Sequence, residues 1–157
     1  MCIRDRSLVR GVLAHNKHEK IEKYLLRRTQ EGGTGAVAFG ELASFINRNN
    51  TGCDETGLAR WVYMEFKGTE GHSTIALVGY VPCANNKADT GTSYQQQRRY
   101  YMMKEGVLLC PRERFKSDLV KLLSTWKREG KRIIVMLDAN EDIYEGSLGQ
   151  TLTNKDG

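Results

Sequence analysis

The feature that most restricts the fold is an amphipathic helix followed at once by a buried strand. From Pro111 to Gly130, apolar side chains recur along one helical face: Phe115, Leu119, Leu122, Leu123 and Trp126. Proline is well tolerated at a first helical position, so Pro111 suits the start of this helix. Residues 131–138, KRIIVMLD, then form an apolar run typical of a buried strand. A helix that returns directly into such a strand favours a layered α/β or α+β domain.

The rest of the chain divides into shorter segments by the same reasoning. Three further segments are predicted to be helical, the middle one short or irregular: 17–30, 41–46 and 92–104. Strands are predicted at 34–40, 58–66 and 73–82, the last two paired as a hairpin through a turn at 68–71. Residues 47–57 are predicted to be a polar loop, and residues 151–157 to hold neither helix nor strand. The central order is therefore strand, strand, helix, helix, strand.

Composition and charge set the class of protein. The chain has 157 residues, about one domain, and its 39% hydrophobic and 27% charged residues argue against disorder. No apolar run approaches the roughly 18 residues that cross a bilayer, so no membrane span is predicted. Residues 95–132 hold 11 Lys or Arg against 4 Asp or Glu, whereas five acids and one Lys follow residue 133. A basic middle beside an acidic loop suits a polyanionic substrate, although basic helices are more often simply solvated faces.

Both ends and the cysteines carry further predictions. Residues 151–157 stop in a polar segment, so we expect the fragment to be truncated at this end as well as at its start. The first six residues, MCIRDR, are similar to a translated transposon mosaic end from sequencing libraries, and we interpret residues 1–6 as an adapter artefact on an assembled gene fragment. The four cysteines contain no C-x-x-C pair, so neither a zinc site nor a redox motif is indicated. A reducing, intracellular compartment, cytoplasmic or nuclear, is the expectation.

Several familiar binding and catalytic motifs are absent because the residues that they require do not occur at the required positions. Asp138, Asn140 and Asp142 are spaced like the start of a calcium-binding loop, but Ile143 and Gly149 occupy the positions that need glycine and glutamate. The glycine-rich stretch at 32–40 lacks the Gly-Lys-Ser/Thr of a phosphate-binding loop. No serine lies in a nucleophile elbow.

The candidate chemistry that remains lies at two strand ends. Asp138 and Asn140 follow the apolar run, and Tyr80 ends the strand at 73–82. A carboxylate can orient or deprotonate water, an amide can donate to a phosphate oxygen, and a tyrosine hydroxyl can stabilise an oxyanion. The residues alone allow an equal alternative, in which Tyr80 is a core aromatic and Asp138 and Asn140 are helix or turn caps. Glu141 and Asp142 are predicted to be solvated loop residues.

Four segments together resemble the endonuclease/exonuclease/phosphatase superfamily, which includes DNase I, apurinic endonucleases and the endonuclease domains of non-LTR retroelements. They are RWVYMEF, IALVGYVPC, SYQQQRRYY and PRERFKSDLVKLLSTWKREGKRIIVMLDANED. A strand ending in Asp138-x-Asn140 behind a Tyr-x-Pro strand carries the resemblance, which covers about residues 32–153. It implies that residues 7–157 are an incomplete domain, the central part of a four-layer α/β sandwich with two packed, mainly antiparallel sheets.

The resemblance also implies a function. Hydrolysis of phosphodiesters would depend on Mg²⁺ or Mn²⁺, with Asp138 acting on the attacking water, Asn140 on the phosphate or the water, and Tyr80 on the phosphate. Three arginines would contact backbone phosphates: Arg60, Arg98 and Arg99. The partner would be nucleic acid, DNA in preference to RNA, with a possible reverse transcriptase domain in the same polyprotein.

The departures from the superfamily pattern define the alternatives. Nothing before residue 32 matches the strand that carries the metal-binding Glu, the motif with the catalytic His is not reached, and Cys83 stands where an Asn is common. The chain by itself is therefore expected to be inactive. A phosphatase or phosphodiesterase acting on an inositol phosphate or sphingomyelin is one alternative, and a non-catalytic binding module with the same fold is another.

Overall fold

A four-stranded sheet organises the part of the chain that the structure describes. The computed structural model describes residues 33–87, 91–142 and 144–153, together with the backbone of residues 9–15. The strands are β1 (Val9–His15), β2 (Gly33–Phe39), β3 (Ile46–Cys53), β4 (Trp61–Lys67), β5 (Ser73–Tyr80) and β6 (Arg132–Asp138). The helices are α1 (Gly40–Ser44), α2 (Ser93–Glu105), α3 (Pro111–Arg128) and α4 (Ser147–Thr153).

The sheet is mainly antiparallel and has the spatial order β3-β4-β5-β6. The β3–β4 and β4–β5 pairs are antiparallel, whereas β5 and β6 are parallel. Parallel neighbours need a long crossover, and α2 and α3 provide it. Strands β1 and β2 form a separate antiparallel pair.

The main core lies between α3 and one face of this sheet, which we call the helix face. Phe115, Leu119 and Trp126 of α3 are buried there against the strand side chains. Trp61 and Phe115 meet edge to face, with ring centroids 5.4 Å apart. The helix that the apolar spacing predicts therefore buries the expected stripe.

The opposite face of the sheet, which we call the β2 face, is only partly covered. Ala36 and Ala38 of β2 pack on Val62 and Met64 of β4. Alanine has a small side chain, so β2 approaches the sheet closely. Residues farther along this face, Ile134 and Met136 of β6, are exposed, so the prediction of a buried strand is wrong for this side of β6, which is an edge strand covered only on its helix face.

The predicted mixed α/β fold and the central order of elements are confirmed, with a four-stranded, mainly antiparallel sheet and four helices in the described residues. Two predictions are wrong: the polar segment 47–57 is largely strand β3, and α4 includes the first residues of the segment 151–157. Strand β1 was not predicted. The helix predicted at 17–30 and the interpretation of residues 1–6 fall outside the described residues.

None of the described helices combines the length and apolar character needed to span a membrane. Among the described residues, Cys53, Cys83 and Cys110 are free, exposed thiols.

Candidate functional site

Tyr80 and Asp138 are brought together at the carboxyl ends of two neighbouring strands. They are register partners in the parallel β5–β6 pair. Adjacent strands lie about 4.8 Å apart, and directly paired residues project to the same face of a sheet. Because Val78 and Met136 line the β2 face, the alternation along each strand puts Tyr80 and Asp138 on that face as well. Asp138 is exposed and Tyr80 is half-buried, so both side chains can meet a ligand.

Gly79, next to Tyr80, packs closely against its neighbours on the helix face. A Cβ atom on Gly79 would lie 2.7 Å from Cδ2 of Leu137 and 3.3 Å from the carbonyl oxygen of Arg60. A larger residue would have to displace the flexible end of Leu137 and would meet the Arg60 carbonyl oxygen at a tight distance. Glycine therefore allows the close packing of β5 beside Tyr80.

Asn140 joins the loop after β6 to the loop after β5. Its backbone has φ 48°, a left-handed conformation that asparagine adopts more readily than most residues. Its Nδ2 donates to the carbonyl oxygen of Val81 at 2.8 Å, and its Oδ1 accepts from Sγ of Cys83 at 2.9 Å. One amide hydrogen of Asn140 remains for a ligand. The Cys83 thiol thus helps to orient the Asn140 amide.

Arg112 is a residue of this region that the sequence reasoning missed. Its guanidinium donates to the carbonyl oxygens of Pro82 at 3.0 Å and Ala139 at 3.3 Å, and to Oε2 of Glu141 at 2.6 Å. It therefore holds the β5 and β6 loops together from the start of α3. One sequence signal points to this role: an arginine in the first turn opposes the helix dipole, which favours acidic side chains there.

The prediction of a solvated Glu141 is wrong. Its side chain is 15% exposed, and besides Arg112 it accepts a hydrogen bond from the backbone N–H of Leu148 at 2.6 Å. Asp142 is exposed as predicted, but its Oδ1 accepts from the backbone N–H groups of Tyr144 and Glu145, which lowers the pKa of this carboxyl. Both acids therefore organise the loop.

The three arginines lie in different surroundings. Arg60 is 2% exposed, and its guanidinium is bound by Asp54 and Asp118, so this side chain is not offered to a phosphate. Arg98 and Arg99 are half-exposed on α2. The structure thus gathers Tyr80, Asp138 and Asn140, and it gives Arg60 a place in the protein interior.

Side chains that could bind a metal ion are few at the strand ends. Among the described residues, no group of three or more His, Cys, Asp or Glu side chains is placed to hold a metal ion. At the strand ends Asp138 supplies one carboxylate, while that of Glu141 is bound to Arg112. Mg²⁺ at this edge would need further oxygen ligands from protein, substrate or water.

Replacing Arg112 with glutamine should lower the free energy of unfolding by about 1–2 kcal/mol, because it leaves the Glu141 carboxylate without its cation. Chemical denaturation measures this. Arg128→Gln, in the exposed last turn of the same helix, is the matched control and should cost about 0.5 kcal/mol or less. The double variant Arg112→Gln/Glu141→Gln should recover part of the loss. Equal losses for Arg112→Gln and Arg128→Gln would contradict a loop-joining role.

Comparison with known proteins gives no further assignment. No protein-family model, curated protein or solved structure matches this chain.

Proposed function

We propose that this chain carries part of the active site of a metal-dependent phosphodiester hydrolase of the endonuclease/exonuclease/phosphatase type, an endonuclease acting on nucleic acid. The observation that carries the proposal is the pairing of Tyr80 with Asp138 at the carboxyl edge of parallel strands. In open α/β sheets ligands bind at this edge. Asn140, on the adjacent loop, adds a donor without adding negative charge.

The roles follow from the chemistry of the three side chains. The exposed Asp138 carboxylate accepts a hydrogen bond from the attacking water and aligns its oxygen. The Tyr80 hydroxyl donates to a non-bridging phosphate oxygen, and the remaining amide hydrogen of Asn140 donates to the same group. A Mg²⁺ or Mn²⁺ ion, implied by the resemblance, would polarise the phosphoryl group when bound.

The charge distribution supports nucleic acid as the substrate. Arg98 and Arg99 belong to the basic stretch 95–132 and are the proposed contacts to backbone phosphates. The four-layer sandwich, the preference for DNA over RNA and an accompanying reverse transcriptase domain belong to the same proposal. Arg60 is left out because its guanidinium is buried in ion pairs.

A binding experiment tests the location of the phosphate. In the absence of divalent metal, Asp138→Asn should strengthen binding of a labelled DNA duplex about three- to tenfold, because it removes a carboxylate facing the phosphate. Fluorescence anisotropy at low salt measures this. Glu129→Gln, at the exposed end of α3, makes the same change in net charge and should shift the affinity much less. Equal shifts for the two variants would contradict the proposed site.

Two further measurements separate the alternatives. Tyr80→Phe should weaken DNA binding a few-fold, and inositol phosphates should compete poorly if nucleic acid is the substrate. Incubation of the purified chain with Mg²⁺ and plasmid DNA should give no cleavage. A cleavage rate abolished by Asp138→Ala would overturn the expected inactivity and would support the hydrolase itself.

A further inference from the structure

Strand β6 forms an open edge of the four-stranded sheet. It is the last strand in the order β3-β4-β5-β6, and within the described residues no strand pairs with its outer side. Its seven residues contain neither proline nor glycine, and its register with β5 is regular. Such a strand presents a row of unpaired N–H and C=O groups, which is a template for another strand.

Strand β3, at the other edge of the sheet, has the features of an edge that is protected from pairing with another chain. Strand β3 shifts register between Ile46 and Thr51, and the intervening residues are polar. Bulges and polar side chains discourage pairing with another chain. Between its charged ends, Arg132 and Asp138, strand β6 has no such protection.

The exposed side chains of β6 are apolar in the middle and charged at the ends. Burial alternates along the strand, and Ile134 and Met136 on the β2 face are 52% and 48% exposed. They line one side of an apolar groove of about 470 Å³ that continues over β5 to Ala36 and Leu42. Arg132 and Asp138 flank them on the same face, and neither forms an ion pair with another described residue.

We propose that β6 pairs with β6 of a second copy of this chain, antiparallel and centred on Val135. In that register Ile134 lies opposite Met136 of the second copy, and Arg132 lies opposite its Asp138. Directly opposite residues of an antiparallel pair are about 4.5–5.5 Å apart and share a face. The two-fold axis therefore forms two apolar pairs and two ion pairs from one strand sequence.

The charge pattern selects a second copy over an unrelated strand. Because the positive end of β6 meets the negative end of its two-fold mate, the strand is complementary to itself. The pairing joins two four-stranded sheets into one and makes the two apolar grooves continuous. It also brings the Arg132 guanidinium of the second copy to the edge that holds Asp138 and Tyr80. The dimer does not depend on the proposed hydrolase function.

A charge exchange tests the dimer. Sedimentation velocity over about 1–100 µM protein should show a monomer–dimer equilibrium. Arg132→Asp and Asp138→Arg should each weaken dimerisation about tenfold or more, because each places like charges opposite one another at two positions. The double variant Arg132→Asp/Asp138→Arg restores opposite charges and should return to within about threefold of the original dissociation constant.

Two further variants separate a specific interface from a general effect of net charge or of unfolding. Lys104→Asp, exposed on α2, changes the net charge as Arg132→Asp does and should leave dimerisation unchanged. Ile134→Lys should abolish the dimer, and circular dichroism should show that this surface variant is folded. A chain that is monomeric over the whole range, or a double variant no better than the single variants, would overturn the proposal.

Discussion

Replacing Arg60 with methionine should lower the free energy of unfolding by about 3–5 kcal/mol, the loss expected when one member of a buried ion network is removed. Its Nε and Nη2 donate to the two oxygens of Asp54 at 2.7 and 2.9 Å. Its Nη1 donates to Asp118 at 2.8 Å and to the hydroxyl of Tyr101 at 3.2 Å. The guanidinium also lies 4.3 Å from the centroid of the Trp61 ring. Methionine fills similar volume but leaves the Asp54 carboxylate buried without a cation.

The pKa values of Arg60 and Asp54 agree with a strong interaction between their charges. Burial alone would lower the pKa of Arg60, yet Asp54 and Asp118 raise it above its ordinary value. Burial likewise would raise the pKa of Asp54, but Arg60 and Thr56 lower it. Burial raises the pKa of Tyr101 to about 12, so its hydroxyl stays neutral in the network.

Urea denaturation of matched variants measures the effect. Arg98→Met removes a half-exposed arginine from α2 and should cost less than about 1 kcal/mol. Arg60→Lys keeps the charge but loses the planar fork, so an intermediate loss is expected. If Arg60→Met and Arg98→Met lost the same free energy, the guanidinium would have to lie in solvent, as a phosphate-binding arginine would.

Glu65→Gln should remove about 2–3 kcal/mol of stability at neutral pH. The side chain of Glu65 is 2% exposed and accepts hydrogen bonds from Asn47 at 2.6 Å, Ser73 at 2.5 Å and Lys131. Burial alone would raise the pKa of this carboxyl, but these donors outweigh burial and lower the pKa from 4.5 to about 2. The folded state therefore favours the charged form.

The stability that Glu65 contributes should fall at acidic pH. A carboxyl whose pKa is lower in the folded state stabilises the protein above its unfolded pKa, and that contribution is lost as the pH falls from about 5 to about 2. The difference in unfolding free energy between the original chain and Glu65→Gln should thus shrink over this range. Glu129→Gln makes the same change of charge at an exposed side chain and is the matched control. A difference independent of pH would contradict the lowered pKa of Glu65.

Sequence periodicity predicts the elements whose burial is local and regular. The helix α3 and the strand β6 were predicted because one apolar face repeats at helical spacing and one short run is continuously apolar. Strand β3 was missed because its residues are polar and its order comes from pairing with β4, a contact between distant segments. Local propensity carries no signal for such an edge strand.

The candidate site divides in the same way. The placement of Asp138 beside Tyr80 could be predicted because both residues follow apolar strands, and the ends of neighbouring strands meet at one edge of a sheet. Arg60 was misjudged because its sequence neighbours do not show that Asp118, 58 residues away, closes over it. Arg112 was missed because its three acceptors lie on loops that meet only in the folded chain.

The bonds of Asn140 and Arg112 have a consequence for how tightly a ligand is held. Ordering the backbone of a loop residue costs about 1–2 kcal/mol, and a loop that becomes ordered only on binding subtracts this cost from the affinity. Because Asn140 bonds to Val81 and Arg112 bonds to Pro82 and Ala139, residues 81–82 and 139–140 are held in place in the folded chain. A ligand at this edge therefore meets a preorganised surface. The conformational entropy of these residues is lost when the protein folds, so it does not lower the affinity for the ligand.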